Sequence, residues 1–232
     1  MDIMSAADES ARKRARILCT RLGISTQHIN ALESSFQRET AFRSSGTIPD
    51  YHCPAHCFWV AGEFFDLAEG ILDQVEMRHG FVAALWHDAA HPRHPHDCVN
   101  VLESANAYGT CAPRPDIDED FDPSRVIDLI HATQTQMPPY EAPASFRENG
   151  QLSLTARFIR DADLLQTGIG PEAEKAGWTA RLRKELGESL ITDGSPHANA
   201  RYIAARLTTE PGRTALRRAV AGTEWAHDLP GI

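Results

Sequence analysis

The chain contains no apolar run approaching the roughly 20 residues that a helix needs to cross a bilayer. Its opening stretch, Met1 to Arg16, is polar and charged and lacks the apolar core of a secretory leader. An excess of positive charge is also missing: 23 Lys and Arg stand against 32 Asp and Glu, for a net charge of -9. A surface that coats nucleic acid needs the opposite balance. A small phosphate-bearing molecule is still allowed, because a bound metal can neutralise its charge locally. Cysteine is sparse and odd in number: Cys19, Cys53, Cys57, Cys98 and Cys111. That pattern fits reduced thiols in a cytoplasm better than a disulfide framework. Cys53 and Cys57 straddle His56, but no second Cys or His pair follows at zinc-finger spacing. Period-2 alternation is nearly absent, which leaves little room for sheet. What is present, 42% apolar and 24% charged residues over 232 positions, describes one soluble domain, residues 1–232, with a core large enough to need no staples.

Helical spacing dominates. Ser10 to Leu22 carries Ala, Ile and Leu at helical intervals with Gly23 as its stop, and Ser25 caps a second helix through Ile29, Leu32 and Phe36 to about Phe42. After a Ser, Gly and Pro loop, Pro54 opens a helix with a broad apolar face of Phe58, Val60, Phe64, Phe65, Leu67 and Leu72. Phe81 to Leu85 is a continuous apolar run, read as a buried helix, and it leads into Trp86-His87-Asp88-Ala89-Ala90-His91-Pro92. The prolines and histidines that follow, His94 and His96 among them, form a loop before a helix resumes at Asn100 to Ala105. Pro113 to Pro123 reads as an acidic surface loop, and Asp122-Pro123-Ser124 starts a helix that Met137-Pro138-Pro139 ends. Leu152 to Arg160 then delivers Asp161-Ala162-Asp163, and Trp178 to Leu190 and Ala198 to Ala221 read as two cladding helices. The expected fold is all-α.

Chemistry gathers at three places. The apolar run carries His87 and Asp88 toward the interior, where a buried imidazole–carboxylate pair is costly unless it binds a cation. His52 and His56 stand at the start of the helix opened by Pro54, with His56 on its first turns and His52 in the loop before it. Asp161 and Asp163 cannot share a helical face, so one of them at most lines a given site. Two imidazoles and two carboxylates form a nitrogen and oxygen donor set suited to zinc, manganese, iron or, less comfortably, magnesium. Such a set leaves coordination positions open, as catalytic metal sites do.

The order of these residues resembles the HD superfamily of metal-dependent phosphohydrolases. Tyr51-His52-x3-His56, His87-Asp88-x2-His91-Pro92 and Ala162-Asp163-Leu164 resemble three signature segments of the cyclic-nucleotide phosphodiesterases and of the smaller bacterial HD phosphohydrolases. Val101-Leu102-Glu103 resembles a further segment, and Leu129-Ile130-His131-Ala132-Thr133 and, loosely, Arg181-x-Arg183-x-Glu185 extend the likeness to the bacterial group. The resemblance spans residues 51–185. It implies an HD-type, phosphodiesterase-like helical bundle with a buried metal site. His56, His87, Asp88 and Asp163 would bind the first ion and Asp88 would bridge to a second, with His91 and Glu103 acting through water. His52 would be the proton donor to the leaving oxygen. The chain departs from the pattern at Cys53, where Asn is usual, in a shortened stretch between His91 and Glu103, and at Thr133 to Gln136, where bacterial relatives often carry a His.

The function so implied is hydrolysis of a nucleotide or another small phosphate ester, diester or monoester, by water activated on a divalent ion. Two rivals share the scaffold. An HD-type diiron oxygenase needs further His ligands, and His91, His94, His96 and His131 do not fall at a matching spacing. A nucleotide-binding module without turnover is opposed by all four metal positions being filled. Gln166 and Trp178 are candidates for base selection by position alone, and the resemblance does not assign them that role.

Overall fold

The computed structural model describes residues 6–42, 50–92, 97–113, 120–134, 147–148, 151–169, 172–186, 195–229 and 231. His94, His96, the middle of the acidic loop and Met137-Pro138-Pro139 lie outside these residues. The described part is all-α apart from a minimal antiparallel pair, β1 (Arg147–Glu148) with β2 (Gln151–Leu152). Ten α-helices follow in order: α1 (Ala6–Leu22), α2 (Gln27–Phe42), α3 (Pro54–Ala68), α4 (Gln74–Trp86), α5 (Asp97–Cys111), α6 (Pro123–His131), α7 (Leu154–Leu165), α8 (Glu172–Leu186), α9 (Pro196–Ala204) and α10 (Glu210–Val220). None of them is long and apolar enough to cross a membrane.

The layout is built around α3 and α4. A helix that is apolar on every side has to be surrounded by other elements. In α4 every residue from His79 to Trp86 is buried, and α3 is buried on almost every face. Accordingly α3 packs on α1, α4 and α7, and α4 packs on α6 as well. At Gly80, α4 closely approaches α3 and α7. A Cβ there would lie 2.2 Å from Phe64 Cζ on α3 and 2.7 Å from Thr155 Cγ2 on α7, so only glycine fits that approach.

Local signals set the boundaries. Gly23, at φ 68°, ends α1 in the left-handed conformation that non-glycine residues avoid. Pro54 occupies the first turn of α3, where its missing N–H costs nothing. Asp122 and Ser153 cap α6 and α7 by accepting the amides of Ser124 and Ala156.

The C-terminal third differs from the two-helix expectation. Among the described residues there are three α-helices, because the chain breaks between Ala204 and Glu210. Thr209 caps α10 by accepting the Gly212 amide at 3.1 Å, with Pro211 inside its first turn. The break is held by Asp161 of α7. Its carboxylate accepts the Thr208 and Thr209 amides at 2.9 and 2.8 Å and their hydroxyls at 3.0 and 2.6 Å. A Cβ on Gly212 would come within 2.6 Å of the same carboxylate. Asp161 is therefore a fully used packing residue.

Candidate metal centre

Each side chain of the site is delivered by a helix end. α4 stops at Trp86, and His87 takes the helical conformation one residue past it, so the His87-Asp88 doublet hangs from the buried C-terminus of α4. The turn is braced from both sides. Trp86 donates its indole N–H to His28 Nδ1 of α2 at 3.2 Å, and Ser104 of α5 both donates to the Ala90 carbonyl and accepts the Ala90 amide. His56 sits in the first turn of α3. Asp163 lies on α7 on the side opposite Asp161, because residues two apart on a helix point about 200° from each other.

The structure brings together His56, His87, Asp88 and Asp163. His56 Nε2 lies 3.1 Å from His87 Nε2, 3.1 Å from Asp88 Oδ2 and 3.3 Å from Asp163 Oδ1. His87 Nε2 lies 3.2 Å from Asp88 Oδ2 and 3.8 Å from Asp163 Oδ1. Both imidazoles are buried, and the carboxylates keep one edge toward solvent.

The outer hydrogen bonds decide which ring nitrogens face this cluster. His87 Nδ1 is 2.8 Å from the Ala84 carbonyl, which only accepts, so Nδ1 carries the proton. His56 Nδ1 is held in the same way by the Oε1 of buried Gln166. Both Nε2 atoms then converge with the Asp88 carboxylate, and the Asp163 carboxylate stands beside the two imidazoles. Electron-rich atoms so close in a buried site repel one another unless protons or a metal cation lie between them. The titration behaviour has the same origin. Burial alone would lower the two histidines, yet Asp163 and Asp88 raise His56 to about 9 and His87 well above its usual range. The carboxylates are held below their ordinary values, despite burial, by the imidazoles they face.

This donor set fits a divalent ion. Donors about 2.0–2.2 Å from one ion stand roughly 3.0–3.5 Å apart, and most of the spacings above lie in that range. Each His also carries the outer hydrogen bond that a ligating imidazole uses to fix its tautomer and orientation.

A second group of possible ligands lies alongside, formed by His52, His91 and Glu185. Glu185, on α8, reaches the loop before α3. Its Oε2 accepts the Tyr51 and His52 amides at 2.8 and 3.1 Å, and its Oε1 takes His52 Nδ1–H at 2.5 Å. Burial opposes ionisation of Glu185, but His52 and the two amides lower it to about 2. His52 Nε2 is thereby turned toward the centre, 3.8 Å from Asp88 Oδ2, and its ring stacks on buried His91 at 3.7 Å between centroids. Burial lowers His91 to about 4, and the neighbouring His52 adds to the effect, so the His91 ring is neutral. Tyr51 and Trp178 close the wall beside His56, and Arg181 lies over Trp178 while forking onto Asp8 of α1.

Glu103 is not brought to the site. Val101, Ser104, Ala105 and Tyr108 form the buried face of α5, and Ser104 is the residue that reaches the His87-Asp88 turn. Glu103 is one position away, about 100° around the helix, and is exposed. It belongs to neither ligand group among the described residues. The sequence gives neither Glu185 nor Gln166 a histidine partner: it offers Gln166 only as a candidate for base selection and Glu185 only within the Arg181-x-Arg183-x-Glu185 segment. Gln166 follows Asp163 by three, the spacing that puts two residues on one helical face, and Glu185 shares a face with Trp178 and Arg181.

No family model matches the chain, and no curated protein or solved structure matches it.

Proposed function

We propose that the chain is an HD-type, metal-dependent phosphohydrolase that acts on a nucleotide or another small phosphate ester. The observation that carries this reading is the convergence of the His56 and His87 Nε2 lone pairs with Asp88 and Asp163, in the order in which the HD pattern names them. His56, His87, Asp88 and Asp163 would hold the ion, and the nitrogen and oxygen donors suit zinc, manganese or iron better than magnesium. A divalent ion bound there supplies Lewis acidity toward a phosphoryl oxygen and lowers the pKa of water toward neutrality.

The protein's own part is to orient the reactants and manage protons. Gln166 and the Ala84 carbonyl keep both ligand imidazoles in the Nε2 form. Glu185 holds the Nδ1 proton of His52, leaving Nε2 to deliver a proton to the leaving oxygen at the open edge of the centre. Neutral His91, stacked on that ring, keeps it flat in one orientation.

A second reading, an HD-type diiron oxygenase, draws on the His52, His91 and Glu185 group as a second set of ligands. Against it, Glu185 already occupies His52 Nδ1 and two backbone amides. Iron content together with oxygen consumption separates the two.

The test is a screen of cyclic and linear nucleotides and a nitrophenyl phosphate ester, with Zn, Mn, Fe and Mg supplied separately. It is followed by His52→Ala on the best pair. Turnover should fall by roughly two to four orders of magnitude with metal retained. The loss should be smaller for the nitrophenyl ester, whose leaving group needs no proton. A His52→Ala protein that sheds its metal, or that loses equally on both substrates, removes His52 from this role.

A further inference from the structure

On the far half of α3 from the metal centre, α3 and α10 pack together and leave an open groove of about 510 Å³ between them. Glu63, Asp66 and Leu67 form the α3 wall, and their spacing of three and four residues puts them on one helical face. Glu210, Thr214 and Arg218 follow at four-residue intervals along the α10 wall, with Ala215 beside them. Glu63 lies two turns beyond His56 on α3, about 10 Å along the helix, so the groove is separate from the centre.

Glu63 differs from the other charged groups here. It is only 8% exposed, and among the described residues no hydrogen bond or ion pair reaches its carboxylate. The charges around it are Asp66 on its own helix, Arg14 on α1, and Glu210 and Arg218 on α10. Most of these are engaged elsewhere. Arg14 donates to the Gly62 carbonyl at 3.1 Å and pairs with Asp66, while Arg217 pairs with Glu210 at 2.8 Å. Arg218 is exposed and forms no ion pair with Glu63. A buried carboxylate without donors is costly, and it is aimed into a groove from which donors can arrive. Burial, reinforced by Asp66 and only partly offset by Arg14, raises Glu63 to about 7, which leaves it poised between its neutral and charged forms near neutrality.

The groove suits an organic cation better than a chelated ion. Its carboxylates do not converge into a group of three ligands among the described residues. Its volume instead matches a small molecule, with Leu67 and Ala215 offering apolar surface. We infer that this groove is a second binding site, for a small aliphatic amine whose primary ammonium reaches Glu63 and whose chain lies along Leu67 and Ala215. An ammonium brings three donors to a carboxylate that has none, and Asp66 and Glu210 at the rim favour the same sign of charge. The inference does not depend on the phosphohydrolase reading, since none of these residues belongs to the centre.

The experiment titrates the purified chain with 1,4-diaminobutane and, in parallel, with uncharged 1,4-butanediol, by isothermal calorimetry. The amine should bind at one site per chain, at least tenfold more tightly than the diol. Glu63→Gln keeps the shape and removes the charge, and should weaken amine binding roughly tenfold or more. Affinity should rise from pH 6 to pH 8 in wild-type as Glu63 gives up its proton, and stay flat in Glu63→Gln. Arg218→Gln should bind the amine as well as wild-type or better. Glu9→Gln, exposed on α1, is the control for overall charge and should change nothing. Thr214→Trp should block the groove by bulk, and it keeps the test available if Glu63→Gln fails to fold. Equal binding of amine and diol, unchanged affinity in Glu63→Gln or Thr214→Trp, or equal weakening by Glu9→Gln or Arg218→Gln would overturn the assignment.

Discussion

Asp161 and Asp163 are two residues apart on one helix and face different surroundings, so on the proposed reading a pair of isosteric substitutions should separate stability from metal binding. Asp161 accepts the amides and hydroxyls of Thr208 and Thr209, and together with Arg157, which donates to the Thr208 carbonyl, it joins α7 to the start of α10. Asp161→Asn leaves one oxygen to accept and turns an amide N–H2 toward two donors. Hydrogen bonds to a charged acceptor contribute about 1.5–3 kcal/mol each. The threonine hydroxyls can rotate to other acceptors, but the amides cannot. The expected cost is then about 2–4 kcal/mol, or a fall in Tm of roughly 5–15 °C for a chain of this length. Asp163→Asn should behave in reverse. It removes a charged ligand from the centre, so affinity for the ion drops, while the metal-free protein loses only the pairing of Asp163 with His56 and His87 and should stay folded. Urea unfolding of the chelated proteins, with metal content measured before chelation, reads both quantities. If Asp161→Asn loses metal at unchanged stability, or Asp163→Asn unfolds the chain while keeping its metal, the division of roles is wrong.

Two further predictions concern the frame around the site. His28 accepts the Trp86 indole N–H in a buried setting, and burial lowers it to about 4 from its ordinary value near 6.5. The folded state therefore binds fewer protons than the unfolded chain between those values. Stability contributed by neutral His28 is full above pH 6.5 and declines as pH falls toward 4, by at most about 3 kcal/mol. Unfolding of the chelated protein at pH 7 and pH 4.5 should show this loss, and His28→Gln should show less of it; an equal loss in both proteins would assign the dependence elsewhere. Gly80→Ala places a Cβ against buried Phe64 and Thr155, and the overpacking should outweigh the better helix propensity of alanine. A net loss of about 1–3 kcal/mol is expected in denaturant titrations, and a gain would mean that α3 and α4 can move apart freely.

The all-helical class was readable because apolar residues recur at helical spacing with almost no alternation. Helix starts at Pro54 and Pro123 carried a recognisable first-turn proline. The late break at Thr208-Thr209 was missed because the apolar pattern runs through it. Its signals were Thr209 as a cap and Pro211 two residues on, and it is stabilised by a carboxylate far away in sequence. The centre was legible where helices end in His and Asp, and the Asp161 and Asp163 alternatives followed from helical geometry, but the choice between them came from the family pattern. Glu103 misled because its neighbour Ser104 holds the inward position on the same helix. Glu185 and Gln166 act on ring nitrogens of residues more than a hundred positions away, a pairing that neither periodicity nor local spacing encodes.

The most direct test of the account is the metal content of purified protein compared with Asp88→Ala, measured by inductively coupled plasma mass spectrometry after passage over a weak chelator. Asp88 faces both ligand imidazoles at 3.1 and 3.2 Å. Wild-type should retain about one equivalent or more of zinc, manganese or iron, and Asp88→Ala should lose most of it with its helical content unchanged. Full metal content in a folded Asp88→Ala protein would contradict the assignment of this centre.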